Sequence, residues 1–288
     1  MIDETAEEIQ EMRTHSSSVV AVKAARALLE VTEQAFPTVE EYVRALERNS
    51  SALRRANPSH ASLVTTQREI VAAVEDGDFD DVEAAQERTR AVVGAVIDDV
   101  ETGKREAAKR LADELTDGST LLLHDYSSTV IEGVRYAIDD GKSFDAFVTE
   151  ARPRHLGRKT ARELGQVDGV DPTLVVDGAA GYYMAETDEV LVGMDCVVDG
   201  VLYNRVGTYP IAAVAADAGV TVTVAGSSAK LVDGAFQFEN DFRSPSEVIR
   251  EPPEGFAVGN PAYDATPTDL LDRIVTDEGI EECDGDGV

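Results

Sequence analysis

The decapeptide Glu150-Ala151-Arg152-Pro153-Arg154-His155-Leu156-Gly157-Arg158-Lys159 gathers five side chains that carry or can carry positive charge, in a chain of formal charge −30. Such a concentration suits a phosphorylated ligand, because guanidinium groups fork onto phosphate oxygens in pairs. A salt-bridged patch is the plainer use of the same residues. A second cluster is His124-Asp125-Tyr126-Ser127-Ser128-Thr129. Its hydroxyls fit a helix start, where unpaired backbone N–H groups hold phosphate, or they simply cap that helix. The third cluster is Gly193-Met194-Asp195-Cys196, followed by Asn204-Arg205-Val206-Gly207-Thr208. Asp195 stands between two apolar runs, where a carboxylate can act on a ligand or merely turn the chain. Asn204, Arg205 and the helix entry at Gly207-Thr208 add donors beside it.

The elements that must position these residues change texture along the chain. Residues 1–115 show apolar side chains at three-to-four spacing, as in Val19, Val22, Ala25 and Leu28 and again in Val92, Val93 and Val96, which predicts a helical domain. Asp80 to Leu115 has no Pro and reads as one long helix or two collinear ones. From 116 to 288 short apolar runs alternate with helical stretches. Thr120–Leu123, Leu174–Val176, Val190–Val192 and Val220–Val224 read as strands, and Ser127–Asp139 and Thr208–Ala218 as helices. The pattern predicts an α/β fold, in which an N-terminal helical domain precedes a Rossmann-like, mostly parallel sheet. Ligands of such sheets bind beyond the carboxyl ends of the strands, which is where all three clusters fall. The closing Glu-Glu-Cys-Asp-Gly-Asp-Gly-Val reads as a solvated acidic tail.

Composition narrows the partners. With 56 acidic against 26 basic residues, of which only six are Lys, the chain lacks the cationic face that nucleic acid requires. A carboxylate-rich, Lys-poor surface stays hydrated where salt screens its repulsion, which points to a halophilic, salt-rich cytoplasm. The acidic amphipathic start is the reverse of a secretory leader, and no apolar run approaches the ~18 residues of a membrane span. Cys196 and Cys283 make neither a disulfide framework nor a zinc cluster. Dinucleotide and P-loop glycine patterns are absent, so neither a metal nor a cofactor is expected.

Taken in order, the clusters resemble the family uniting the alpha, beta and delta subunits of translation initiation factor 2B with methylthioribose-1-phosphate isomerase and ribose-1,5-bisphosphate isomerase. The resemblance rests on Glu150-Ala151-Arg152-Pro153 with Gly157, on Gly193-x-Asp195, and on Asn204-Arg205-Val206-Gly207-Thr208. It continues through Asn260-Pro261-Ala262-Tyr263-Asp264 with Thr266-Pro267, and closes on Asp269–Gly279. For the isomerases it implies conversion of an aldose phosphate, closed at C1, to a ketose phosphate, with a cysteine and the aspartate of Gly-x-Asp sharing the proton work. Asp195 fits that aspartate. Where the isomerases read roughly Thr-His-Cys, this chain has Leu123-His124-Asp125, and where they place Arg-Gly near the phosphate it has Arg13-Thr14.

Two expectations follow from the resemblance. The leading one is a non-catalytic, initiation-factor-2B-like protein that senses a sugar phosphate or nucleotide monophosphate. It contacts the anion through Arg13, Ser127, Ser128, Arg152, Gly157, Arg158, Asn204 and Arg205, and the sugar through Asp195. The alternative is a ribose-1,5-bisphosphate isomerase in which Asp125 replaces the missing thiol and pairs with Asp195, the two carboxyls dividing acid and base roles. Either way the resemblance implies a homodimer or higher assembly through the sheet domain, and for the first reading a translation-factor partner.

Overall fold

The three-to-four spacing of the N-terminal apolar residues folds as helices. The computed structural model describes residues 2–11, 16–232, 236–251 and 254–283. It contains α1 (Ile2–Gln10), α2 (Ser17–Leu28), α3 (Val39–Ala56), α4 (Ala61–Glu75) and the long α5 (Val82–Glu114). The Thr38 hydroxyl caps α3 by accepting from the Glu41 amide; acidic Glu40 and Glu41 in the first turn and Arg54 and Arg55 in the last complement the helix dipole. Leu28, Val31, Tyr42, Leu46, Leu53, Leu63 and Ile70 bury their side chains together as the core of this part. The chain divides into two units, 1–103 and 104–288. The division falls inside α5, N-terminal to the boundary expected from composition at 115/116.

The second unit begins at β1 (Thr120–Leu123). It continues with α6 (Ser128–Asp139), β2 (Phe144–Thr149), α7 (Gly157–Leu164), β3 (Val170–Val175) and α8 (Ala180–Tyr183). Then come β4 (Glu189–Gly193), β5 (Cys196–Val198), β6 (Val201–Arg205), α9 (Thr208–Ala218), β7 (Thr221–Ala225), β8 (Leu231–Val232), β9 (Tyr263–Pro267), β10 (Arg273–Val275) and β11 (Ile280–Glu282). Seven strands form one sheet in the order β11-β10-β7-β4-β1-β2-β3, parallel except at the β10–β11 edge. The side chains of β1 alternate as a strand requires. Leu121 and Leu123 pack with Val130, Ile131 and Val134 of α6, while Leu122 packs on the opposite face with Ile211 and Ala215 of α9. Both faces are therefore covered, which explains the uninterrupted apolar run. A smaller sheet, β8-β5-β6-β9, begins in the chain with β5, separated from the end of β4 by Met194 and Asp195.

The expected acidic tail is corrected at its first three residues, 281–283; the rest of it, 284–288, lies outside the described residues. Glu281 and Glu282 belong to the edge strand β11, and the Cys283 amide donates to the Asp272 carbonyl at 2.8 Å. On this edge strand the two carboxylates alternate in direction, Glu281 half-buried and Glu282 exposed. No helix among the described residues is long and apolar enough to cross a membrane.

Candidate functional site

In the seven-stranded sheet the connection order reverses between β1 and β4, which places a crevice at their carboxyl ends. His124 and Asp125 leave β1 there, and Asp195 follows β4. His124 is fully engaged in holding this rim together. Its Nε2 lies 3.0 Å from the Val206 carbonyl, which can only accept, so Nε2 carries a proton, and Nδ1 lies 2.6 Å from the Thr149 hydroxyl, which also reaches the Leu123 carbonyl at 3.3 Å. Gly207, at φ 110°, is required beside it, since a Cβ there would come within 2.6 Å of the His124 ring. Ser127 caps α6 by accepting from the Val130 amide at 3.3 Å, and Ser128 opens that helix. Gly193 admits Ser127 to the crevice, because a Cβ on Gly193 would meet Ser127 Oγ at 2.6 Å.

Asp125 sits at φ 65°, in the left-handed region that Asp tolerates better than most residues. The Thr160 hydroxyl donates to its carbonyl at 2.6 Å and fixes that turn. Its carboxylate Oδ2 accepts from Arg205 Nε at 3.2 Å. Burial opposes the Arg205 charge, but Asp125, Tyr263 and Asp195 outweigh it and raise its pKa above the ordinary value, so the guanidinium stays charged. The Tyr263 ring lies 5.0 Å from the guanidinium carbon. Burial, with the Asp195 charge, raises the Tyr263 phenol above its usual value. Tyr263 is one end of an aromatic wall: Phe238 stands edge-on to it at 5.4 Å and stacks on Tyr203 at 3.9 Å.

Three atoms in this cluster have no hydrogen-bond partner among the described residues: Asp125 Oδ1, Arg205 Nη1 and the Tyr263 hydroxyl. Their residues are only 8%, 6% and 2% exposed. A buried polar atom without a partner costs about 1–3 kcal/mol, so these three are groups that a bound polar molecule or water can satisfy.

The cationic decapeptide forms the adjoining rim. Asp177 accepts from the amides of Ala151 and Arg152 at 2.7 and 2.8 Å and ties down a loop in which Ala151 and His155 have positive φ. Gly157 approaches β2 so closely that a Cβ would fall 1.7 Å from the Thr149 carbonyl oxygen. Arg158 turns to Glu150 Oε2 at 2.7 Å, and His155 Nδ1 lies 3.3 Å from the same oxygen. That Arg158 bond, with the His155 and Arg152 charges, holds the Glu150 carboxyl below its ordinary range against the opposing effect of burial.

The structure thus brings Asp125, Asp195 and Arg205 into one electrostatic cluster and sets Ser127 at its edge. Asn204 is buried beneath it, donating to the Thr208 hydroxyl at 3.0 Å, which in turn donates to the Arg205 carbonyl. Arg152 is exposed and Arg158 is directed to Glu150. Arg13 lies outside the described residues. Sequence reasoning quoted Tyr263 and Asp264 without giving them a role. Asp264 accepts from the amides of Gly207 and Tyr209 at 2.7 and 3.1 Å and so anchors the turn that carries Arg205. Thr149, Asp177 and Lys230 were missed altogether.

Cys196 does not stand in for a reactive thiol. It is fully buried, and burial together with the Asp195 charge pushes the thiol up to about 12. The thiolate, not the thiol, is the nucleophile. Iodoacetamide near neutral pH is therefore expected to leave Cys196 unmodified in the folded protein and to alkylate it in denaturant, as read by peptide mass spectrometry. Labelling of the folded protein at the denatured rate would refute this.

The profile of the Initiation factor 2 subunit family matches residues 13–283. The chain is 31% identical to a ribose 1,5-bisphosphate isomerase of Haloferax volcanii, over 96% of this chain and 87% of that one. It is 30% identical to the ribose 1,5-bisphosphate isomerase of Methanocaldococcus jannaschii, over 97% and 91%. Among solved structures, the translation initiation factor eIF-2B of Pyrococcus horikoshii superposes with a TM-score of 0.82 at 25% identity, over 97% of this chain and 96% of that one. The names of the two relatives favour the isomerase alternative, and the expected lean away from catalysis is corrected accordingly.

Proposed function

Because the chain belongs to the initiation factor 2 subunit family, we propose that it is a sugar-phosphate isomerase converting ribose 1,5-bisphosphate, or a closely related ribose 1-phosphate ester, to its ketose. The observation that carries this reading is the set of three buried, unpartnered atoms on Asp125, Arg205 and Tyr263, in a cluster whose field also includes Asp195. An aldose closed at C1 by a phosphate must first open. One carboxyl gives a proton to the ring oxygen as its bond to C1 breaks, the other takes the proton from the C2 hydroxyl, and the C2 hydrogen passes to C1. The net change is one proton moved from O2 to the former ring oxygen and one hydrogen moved from C2 to C1. No co-reactant is consumed, and two carboxyls are sufficient for the proton traffic. Arg205, beside the packed Tyr203, Phe238 and Tyr263 rings, supplies a fixed positive charge for phosphate or developing oxyanion.

A second reading, a protein that binds the sugar phosphate without turning it over, is favoured by one observation. Asp125 already accepts from Arg205, and this ion pair competes with its use as a proton carrier. The two separate in one experiment. Purified protein in high KCl is incubated with ribose 1,5-bisphosphate; product is followed by mass spectrometry and binding by the shift in melting temperature. The expected result is ribulose 1,5-bisphosphate accumulating catalytically. A raised melting temperature with no ketose would select the second reading, and neither effect would remove both.

A further inference from the structure

Lys230 is the one lysine buried at the rim of this cluster, only 6% exposed. The short segment before β8 puts it there. Lys230 closes a 3-10 turn by donating its amide to the Ser227 carbonyl at 3.0 Å, and Ser228 ties the turn to Asp277 through its amide and hydroxyl at 2.7 and 2.9 Å. The next residue, Leu231, pairs with Val197 of β5, so the register sets Lys230 beside Asp195 and Cys196. Gly226 lets the exit of β7 settle onto Met194, where a Cβ would come within 2.7 Å of Met194 Cγ. Nζ of Lys230 then donates to the Met194 carbonyl at 2.9 Å. That carbonyl and the Asp195 amide are two ends of one peptide unit, and the Asp195 amide donates to the Tyr203 carbonyl at 3.0 Å. Both polar groups of the peptide that carries Asp195 are therefore held.

We propose that Lys230 is a positioning residue for Asp195, clamping the peptide from which Asp195 projects and setting a buried ammonium beside its carboxylate. This deepens the isomerase reading and rests on it. A buried ammonium is expensive unless a counter-charge compensates it. Burial lowers the Lys230 pKa, while Asp195 and Cys196 on the β4–β5 side act to raise it and Lys104 of α5 acts to lower it. Asp195 is the carboxylate in that set, so removing its charge leaves the ammonium with burial and Lys104 against it. Supporting groups just behind a reacting residue commonly contribute about 10–100-fold to activity.

Two measurements test this, and only one of them needs turnover. In protein labelled at the lysine side chains, the Lys230 resonance is assigned by its loss in Lys230→Arg and titrated in wild type and in Asp195→Asn. The expected result is a Lys230 titration lowered by about one pH unit or more in the Asn variant. In the kinetic arm, Lys230→Ala is expected to lose about 10–100-fold in kcat with KM within about twofold, with ethylammonium restoring part of the loss. Lys230→Gln, which keeps a donor for the Met194 carbonyl, should lose less; Lys230→Met serves if the alanine variant does not fold. An unchanged Lys230 titration in Asp195→Asn, or an unchanged kcat in the lysine variants, overturns the proposal. Wild-type protein with no isomerase activity would fell the function instead, and the titration alone would then decide the role of Lys230.

Discussion

Asp195→Asn is expected to lower kcat for ketose formation by about 10³-fold while ribose 1,5-bisphosphate still raises the melting temperature. The substitution is isosteric and keeps the backbone held by Tyr203 and Lys230. It removes the acceptor for a proton, and positioned acid–base groups contribute roughly 10²–10⁴-fold. The separation of rate from binding is the informative part. A loss of both together would mean that Asp195 holds the ligand rather than the proton. Unchanged kcat would remove Asp195 from the chemistry and leave the carboxyl pair without one member.

The fold was legible where local chemistry and tertiary demand agree. Leu121-Leu122-Leu123 reads as a buried strand because both faces of the sheet are covered, and Ser127 announces the helix it caps. Asp125 and Asp195 were legible as site candidates because each follows an apolar run that is a strand of the parallel sheet, while Asn204 and Arg205 end β6 of the smaller, largely antiparallel sheet. What remained hidden depends on pairing between distant segments. Nothing local distinguishes Lys230 from a surface lysine until β8 pairs with β5. Tyr263 lies on the arginine only because β9 pairs with β6, matching Tyr263 to Arg205. The cationic decapeptide shows the opposite error: its count of charges suggested several anion contacts, yet Glu150, within the same ten residues, engages Arg158. The closing acidic residues misled for the same reason, since composition alone does not reveal an edge strand.

Arg205→Met is expected to destabilise the protein by about 3–5 kcal/mol, a larger effect than any substitution at the exposed Arg152. The loss is not chiefly that of one hydrogen bond. Arg205 and Asp125 are both buried, and removing one member of a buried pair leaves the other charge uncompensated. The methionine fills much of the volume, so the cavity contribution is small and the electrostatic one dominates. This makes a double-substitution cycle decisive. Asp125→Asn added to Arg205→Met removes the stranded charge, and the double variant should recover a substantial part of the lost stability, measured by denaturant unfolding in high KCl. Additive losses would mean that Arg205 and Asp125 do not compensate each other in the folded protein. The same variants weigh ligand binding against stability. Arg205 has a buried Nη1 with no partner among the described residues, so on the proposed reading even the restabilised double variant should no longer gain melting temperature from ribose 1,5-bisphosphate. If it does gain, the phosphate is held by the decapeptide rim instead, and Arg205 serves the fold rather than the ligand.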